Sequence, residues 1–261
     1  MTDRSAHIAR AEAFAALHNS QNPLVLVNVW DAGSAQAVAR AGAKALATGS
    51  DSLAKAQGFD DGEEIALSYL LHVVERILAT TDCPLSVDLE SGFARQPDRV
   101  AQNVRPFVEA GVVGLNLEDQ VIGQGVMFSV SEQSARIEAL RAMAKDMGVP
   151  LFINARTDLF LQQPDPSKHG VLIDDAIERA AAYREAGASG FFVPALTDPH
   201  LVERLVSAIS LPLNVMVMTP HVDTQAWARL GVSRISQGPA PYRRMMGDLE
   251  AYAQGIFADS A

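Results

Sequence analysis

Apolar, β-branched-rich runs of strand length recur along the chain, each followed by turn residues and then by a segment whose apolar positions repeat with helical period. Eight such runs are predicted as strands: "LVLVNVW" (24–30), "KALATG" (44–49), "LSVDLE" (85–90), "VGLNLE" (113–118), "LFINAR" (151–156), "GFFVPA" (190–195), "LNVMV" (213–217) and "SRISQG" (233–238). Helical patterns lie between them, among them "SAQAVARAGA", "PDRVAQNVRPFVEAG", "SEQSARIEALRAMAKDMG" and "IDDAIERAAAYREAGAS", several closing on the Gly expected just past a helix C-terminus. Strict alternation of strand and helix calls for a parallel sheet, and eight units in a chain of 261 residues match a (β/α)8 TIM barrel. No linker or shift of composition interrupts the pattern, so residues 1–261 are read as one domain.

Successive side chains along a strand point to opposite faces. In 85–90 this sets Leu85, Val87 and Leu89 against Ser86, Asp88 and Glu90. With the apolar face turned to the helices, Asp88 and Glu90 point into the barrel. The same parity sends Asn28 and Trp30, Asn116 and Glu118, Asn154 and Arg156, and Asn214 and Met216 inward. These residues cluster toward the C-terminal ends of their strands, where such barrels carry their active sites.

Composition narrows the partners. The balance of 21 Lys+Arg against 31 Asp+Glu gives a net charge of −10, which opposes non-specific binding to nucleic acid or anionic lipid. The first residues read as an amphipathic helix without the apolar stretch of a secretory signal, and no apolar run reaches the length of a membrane span, so a cytoplasmic protein is expected. The single cysteine, Cys83, cannot form an internal disulfide and reads as a small buried thiol.

Three carboxylates in one barrel mouth, Asp88, Glu90 and Glu118, would repel one another and lose solvation unless they were protonated, paired or bound to a metal. All the candidate ligands are oxygens, which suits Mg2+ or Mn2+. The alternative is that some of them pair with Arg156 or accept backbone amides. Arg156 could neutralise these acids, clamp a substrate carboxylate, or both. After the second strand, Gly49 and Ser50 form a turn able to present N–H groups to an anion. No lysine stands at the C-terminal end of a predicted strand, which disfavours Schiff-base chemistry, and the six histidines show no paired metal-ligand spacing.

The ordered set "NVWDAGSA", "ATGSDSLAKAQGFDD", "SVDLESGFA", "GVVGLNLEDQ", "INARTD" and "LPLNVM" resembles the phosphoenolpyruvate mutase/isocitrate lyase superfamily over most of the chain. The resemblance implies cleavage or formation of a bond next to a 2-oxo acid through an enolate of pyruvate, with Mg2+ as cofactor. It implies Asp88 as direct metal ligand and Glu90 and Glu118 as partners acting through water, and it adds Asp61 to the metal network. It assigns the substrate carboxylate to Gly49 and Ser50 and the substrate or enolate to Arg156. Trp30 and Asn214 complete the expected substrate-binding set, and Arg156, Glu118 and Asp61 the catalytic one. The family usually reads D-x-D-x-G-Y-G where this chain has "DLESGFA", so Glu90 is a departure by one methylene.

The loop after the fourth strand separates the subfamilies. The lyases carry K-K-C-G-H there, whereas "DQVIGQGVMFSVSEQSAR" holds no Lys, Cys or His, which disfavours isocitrate or methylisocitrate cleavage. Phosphonate-active members carry Lys and Asn in the loop and a His near the end of strand six, where this chain has "FFVPA". Gly123 and Gly125 fit a mobile lid, and Ser129 with Glu132 forms a predicted capping box restarting the helix. The expectation is an oxaloacetate decarboxylase-type lyase, with a phosphonomutase or phosphonopyruvate hydrolase-like enzyme, or a catalytically silent 2-oxo acid-binding barrel, as alternatives. The family also implies a swapped last helix and a homo-oligomer, dimer or tetramer, built with "APYRRMMGDLEAYAQGIF".

Overall fold

The computed structural model describes residues 4–258. Its strands are β1 (Leu24–Leu26), β2 (Asn28–Val29), β3 (Leu46–Thr48), β4 (Leu85–Asp88), β5 (Gly114–Glu118), β6 (Gln120–Val121), β7 (Val126–Met127), β8 (Phe152–Arg156), β9 (Gly190–Val193), β10 (Leu213–Met216) and β11 (Arg234–Ser236). Its helices are α1 (Arg4–Ala16), α2 (Ala32–Arg40), α3 (Ser50–Ala56), α4 (Leu67–Leu78), α5 (Pro97–Ala110), α6 (Val130–Met147), α7 (Ile173–Glu185), α8 (Pro199–Ala208), α9 (Thr224–Arg229) and α10 (Ala240–Ala258). Nine strands form one sheet in the order β1-β11-β10-β9-β8-β5-β4-β3-β2, with every pairing parallel. Its two end members are consecutive pieces of one segment separated only by Val27, so the sheet closes as the expected eight-membered barrel.

Strand parity holds where the strands are regular. Leu85, Val87, Leu115, Leu117, Ile153, Ala155, Phe191, Val193, Val215 and Ile235 are buried beneath the helices, each of the larger side chains among them contributing about 2 kcal/mol by leaving water. The helix signals also hold. Gly111 and Gly148 close α5 and α6 in the left-handed conformation, and Ser129 and Glu132 make the reciprocal capping box at the start of α6.

Two strands stop earlier than their apolar runs. β4 ends at Asp88, and Glu90 turns to a positive φ of 49°, so the parity that placed it beside Asp88 does not apply to it. β9 ends at Val193, because Pro194 has no amide hydrogen to donate to a ladder.

α1 closes the N-terminal end of the barrel, burying His7, Ala11 and Phe14. The Phe14 ring meets Phe152 edge-on at 5.6 Å, and His18 stacks on Phe152 at 3.8 Å. Above this plug lies a polar layer rather than an aliphatic one. Asn154 Nδ2 donates to Asn116 Oδ1 (2.9 Å) and Asn214 Oδ1 (3.0 Å), and Arg234 Nη2 donates to Asn116 Oδ1 (3.3 Å). Burial lowers the Arg234 guanidinium to about 9. Cys83 is half-buried, its thiol facing the Ala43 carbonyl.

The last helix departs from an ordinary eighth barrel helix. α10 buries none of its residues, and Met245, Met246, Leu249, Tyr252, Ile256 and Phe257 are exposed. A cavity of about 640 Å3 opens on the outer barrel wall beside its first turns, lined by Val27, Trp30, Val38, Met218 and Met245 among others. No helix among the described residues is long and apolar enough to cross a membrane.

Candidate active site

The C-terminal ends of β4, β5 and β8 bring Asp88, Glu118 and Arg156 together through the sheet register, in which Asp88 faces Asn116 and Glu118 faces Arg156. Arg156 Nη1 lies 2.9 Å from Glu118 Oε2 and 3.6 Å from Asp88 Oδ2. Its other edge is gripped by Asp158 through two parallel bonds, Nε to Oδ1 at 2.6 Å and Nη2 to Oδ2 at 2.9 Å. Asp158 is positioned in turn, its amide donating to Asp119 Oδ1 at 3.0 Å. Asp119 is fully buried and receives the Tyr183 hydroxyl (2.8 Å) and Arg179 Nη1 (3.1 Å). Arg156 therefore has its planar fork fixed before any ligand arrives.

Burial dominates the electrostatics. It pushes the Asp88, Glu90 and Glu118 carboxyls up from their ordinary range, Glu90 to about 8, with the neighbouring acids adding to the effect and Arg156 opposing it at Asp88 and Glu118. Asp119 rises to about 6 for the same primary reason, against the pull of Arg179. Burial opposes the charge on Arg156, yet Glu118, Asp158 and Asp88 together raise it well above its usual value. The acids outnumber the single guanidinium among them.

A cavity of about 190 Å3 opens onto this group. Asp88, Asn116 and Arg156 form its floor, Gly49, Ser50 and Asp61 line it from the segments after β3, and Leu161, Phe192, Pro194 and Met216 give it an apolar wall. Arg243, in the first turn of α10, also lines it and stands 3.6 Å from Asp51. The lining contains no Lys, His or Cys.

Of the residues expected from sequence, Asp61, Asp88, Gly49, Ser50 and Arg156 line this cavity, and Glu118 reaches it through Arg156. Two do not. Trp30 lines the outer cavity and packs edge-on against Tyr242 at 5.2 Å; β2 ends at Val29, so Trp30 lies beyond the regular strand whose parity placed it inside. Asn214 stays inside the polar layer, donating to the Val215 carbonyl and Ser236. Glu90 is buried, but its Oε2 accepts the Glu63 amide at 2.9 Å. The expected lid is a short hairpin, β6–β7, and no residue from 119 to 128 lines the cavity. Asp158, Asp119 and Glu63 escaped the sequence reading; the "TD" after Arg156 and the "ED" at 118–119 were the available signals.

The donor set fits a hard divalent cation: all oxygens, short of positive charge, with Asp88 on the cavity floor and Asp61 and Asp51 in its lining. Among the described residues no three Asp, Glu, His or Cys side chains converge as a complete ligand set. Few direct protein ligands would suit Mg2+, which commonly keeps several waters.

The family model described as phosphoenolpyruvate phosphomutase matches residues 14–257. The chain belongs to this family. Among solved structures, a Burkholderia cenocepacia J2315 protein provisionally named a phosphonomutase superposes with TM-score 0.92 at 44% identity, over 95% of this chain and 99% of its own. Phosphonopyruvate hydrolase, solved with oxalate and Mg2+, shares the fold at 20% identity, with TM-score 0.85 over 97% of this chain and 88% of its own. Of curated relatives, 2-methylisocitrate lyase of Escherichia coli K12 is 31% identical over 77% of this chain and 68% of its own. Oxaloacetate decarboxylase of Ectopseudomonas mendocina is 28% identical over 92% and 81%. Membership thus sets the chain among lyases and mutases of small organic acids.

Proposed function

We propose that the protein is a Mg2+-dependent lyase of small 2-oxo acids, of the oxaloacetate decarboxylase type. The observation that carries the reading is a small cavity floored by Asp88 and a rigidly held Arg156 with no Lys, His or Cys in its lining. Such a site can stabilise negative charge but offers none of the usual side-chain proton donors for an alkoxide or amine. Decarboxylation needs only the former. As the bond between C3 and the departing carboxylate breaks, its electron pair flows into the enolate of pyruvate while CO2 leaves unprotonated.

Asp88 would hold the metal directly, with Glu118 and Asp61 acting through water. When bound, the ion supplies Lewis acidity at the carboxylate and keto oxygens of the substrate. Gly49 and Ser50 would bind that carboxylate through backbone amides. Arg156 would place its guanidinium against the oxygen that gains charge, a contribution typically of several kcal/mol in a dry site. Arg243 supplies a positive charge at the rim for the second carboxylate of a dicarboxylic substrate. The 44% identity to the Burkholderia protein favours, as a second reading, a phosphonate enzyme cleaving or moving a C–P bond.

The test is a panel of oxaloacetate, phosphonopyruvate and 2-methylisocitrate assayed with Mg2+, with EDTA, and in Asp88→Ala. Oxaloacetate is expected to give pyruvate, with loss of at least about a hundredfold in EDTA and in the variant. Activity that survives both would refute the metal-enolate chemistry. Turnover of phosphonopyruvate in place of oxaloacetate would select the second reading, and none at all under saturating Mg2+ a silent binding barrel.

For assembly we propose a homo-oligomer in which a second copy supplies its α10 to the outer cavity. Six exposed apolar side chains on a helix with no buried residue, next to an apolar groove on the wall where an eighth helix belongs, support this arrangement.

A further inference from the structure

The site contains a pair of acids whose contacts cross between two loops. The segment after β3 carries Asp61, and none of residues 57–64 is buried, so apolar packing does little to fix it. Its neighbours are polar or peripheral: Tyr69 donates to Gln57 at 2.8 Å, and Phe59 leans on the Tyr69 ring at 6.2 Å. Nearer the cavity, Glu63 and Glu90 exchange contacts. The Glu63 amide donates to Glu90 Oε2 (2.9 Å). In return Glu63 Oε1 accepts the Ser91 amide (3.1 Å), the Ser91 hydroxyl (2.6 Å) and the Phe93 amide (2.8 Å).

The far side of this exchange is anchored. Arg136, fully buried, donates to the Ala94 carbonyl (2.7 Å), the Arg95 carbonyl (3.0 Å) and the Ser91 carbonyl, and its guanidinium lies 4.0 Å over the Phe128 ring. Glu63 and Glu90 both hold positive φ, 62° and 49°. For residues with a Cβ this costs about 1 kcal/mol or more each and persists only where surrounding contacts enforce it. Four hydrogen bonds to two carboxylates supply that enforcement.

We infer that Glu90 is a positioning residue: its carboxylate holds the Glu63 amide, and the reciprocal clamp sets the 57–66 loop so that Asp61 faces the cavity. The inference rests on the cavity being the active site. It gives the extra methylene at this position a purpose, namely reach across to the neighbouring loop, and assigns the residue a role other than support of the metal.

Two substitutions separate reach from acidity. Glu90→Asp keeps the carboxyl group and shortens the arm; Glu90→Gln keeps the length and an acceptor oxygen but removes the acid. The readouts are hydrogen exchange of the Glu63 amide in the metal-free protein, the Mg2+ binding midpoint by calorimetry, and kcat. Glu90→Asp is expected to speed exchange at Glu63 at least tenfold and to lower kcat, whereas Glu90→Gln restores protection to within threefold of the parent and leaves the Mg2+ midpoint within threefold. Ser91→Ala, which removes one bond on the opposite half of the clamp, should speed exchange in the same loop without touching Glu90. It serves as the second variant if Glu90→Asp does not fold by circular dichroism.

Unchanged protection in Glu90→Asp, or in Ser91→Ala where that variant replaces it, would overturn the inference. So would equal loss in Glu90→Asp and Glu90→Gln, or a tenfold weaker Mg2+ midpoint in Glu90→Gln with protection intact. Failure of the metal reading itself would appear separately, as Mg2+ binding unaffected by Asp88→Ala.

Discussion

Asp158→Asn tests whether the fixed orientation of Arg156 matters for chemistry. The substitution keeps an acceptor at one position but turns an NH2 group toward Nη2 of Arg156, replacing one of the two parallel bonds with a donor–donor contact. A charge-assisted bond contributes about 1.5–3 kcal/mol, so roughly 2 kcal/mol of orientation is lost, equivalent to about a thirtyfold fall in kcat/KM. Global stability should change far less. Removing one negative charge from a group in which Asp88, Glu118 and Asp158 surround a single guanidinium relieves repulsion and offsets part of the lost bond. The expected signature is therefore a large kinetic loss with less than about 1 kcal/mol of destabilisation. Steady-state assay of the 2-oxo acid that the protein turns over, at saturating Mg2+, alongside urea unfolding, measures both. Unchanged kcat/KM with a stability loss above about 3 kcal/mol would show that Asp158 is only a structural counter-ion, and the reasoning about Arg156 would fail.

Gly114 opens β5 where a Cβ would lie 2.7 Å from the Phe14 ring and 3.3 Å from the Phe152 carbonyl; Gly114→Ala should cost about 1–3 kcal/mol in urea unfolding, and a neutral result would mean that the α1 plug yields freely. His18 is held neutral by burial, its pKa lowered to about 3 with nearby Arg234 contributing. Its folded value lies below its unfolded one, so its contribution to stability is complete above about pH 6.5 and is lost as pH falls toward 3. His18→Phe should flatten the decline of stability between pH 6 and 4 relative to the parent, and parallel profiles would contradict this. Leu249→Glu combined with Phe257→Glu should shift the sedimentation of the protein toward the monomer, while an unchanged mass would rule out α10 as the subunit contact.

Local signals carried the architecture because they are local. The alternation of apolar strands with helical repeats, the glycines ending α5 and α6, and the Ser129–Glu132 cap each depend on residues a few positions apart. Parity along regular strands then placed Asp88, Glu118 and Arg156 on one inner face. It failed at Trp30, which lies just past the end of β2 at Val29, and at Glu90, where a left-handed turn resets the direction of the side chain. Sequence spacing carries no record of such resets.

The remainder was decided by contacts between distant segments. That Asp158 grips Arg156, that Asp119 steadies Asp158 from beneath with Tyr183 and Arg179, and that Glu63 meets Glu90 across 27 positions follow from how the barrel closes. The sequence by itself determined the barrel and which carboxylates stand at its mouth, because alternation is a property of each strand alone. Only the tertiary structure decided which acid faces the cavity, which pairs with the arginine and which reaches for a neighbouring loop, because a carboxylate's role is fixed by the donor nearest to it in space.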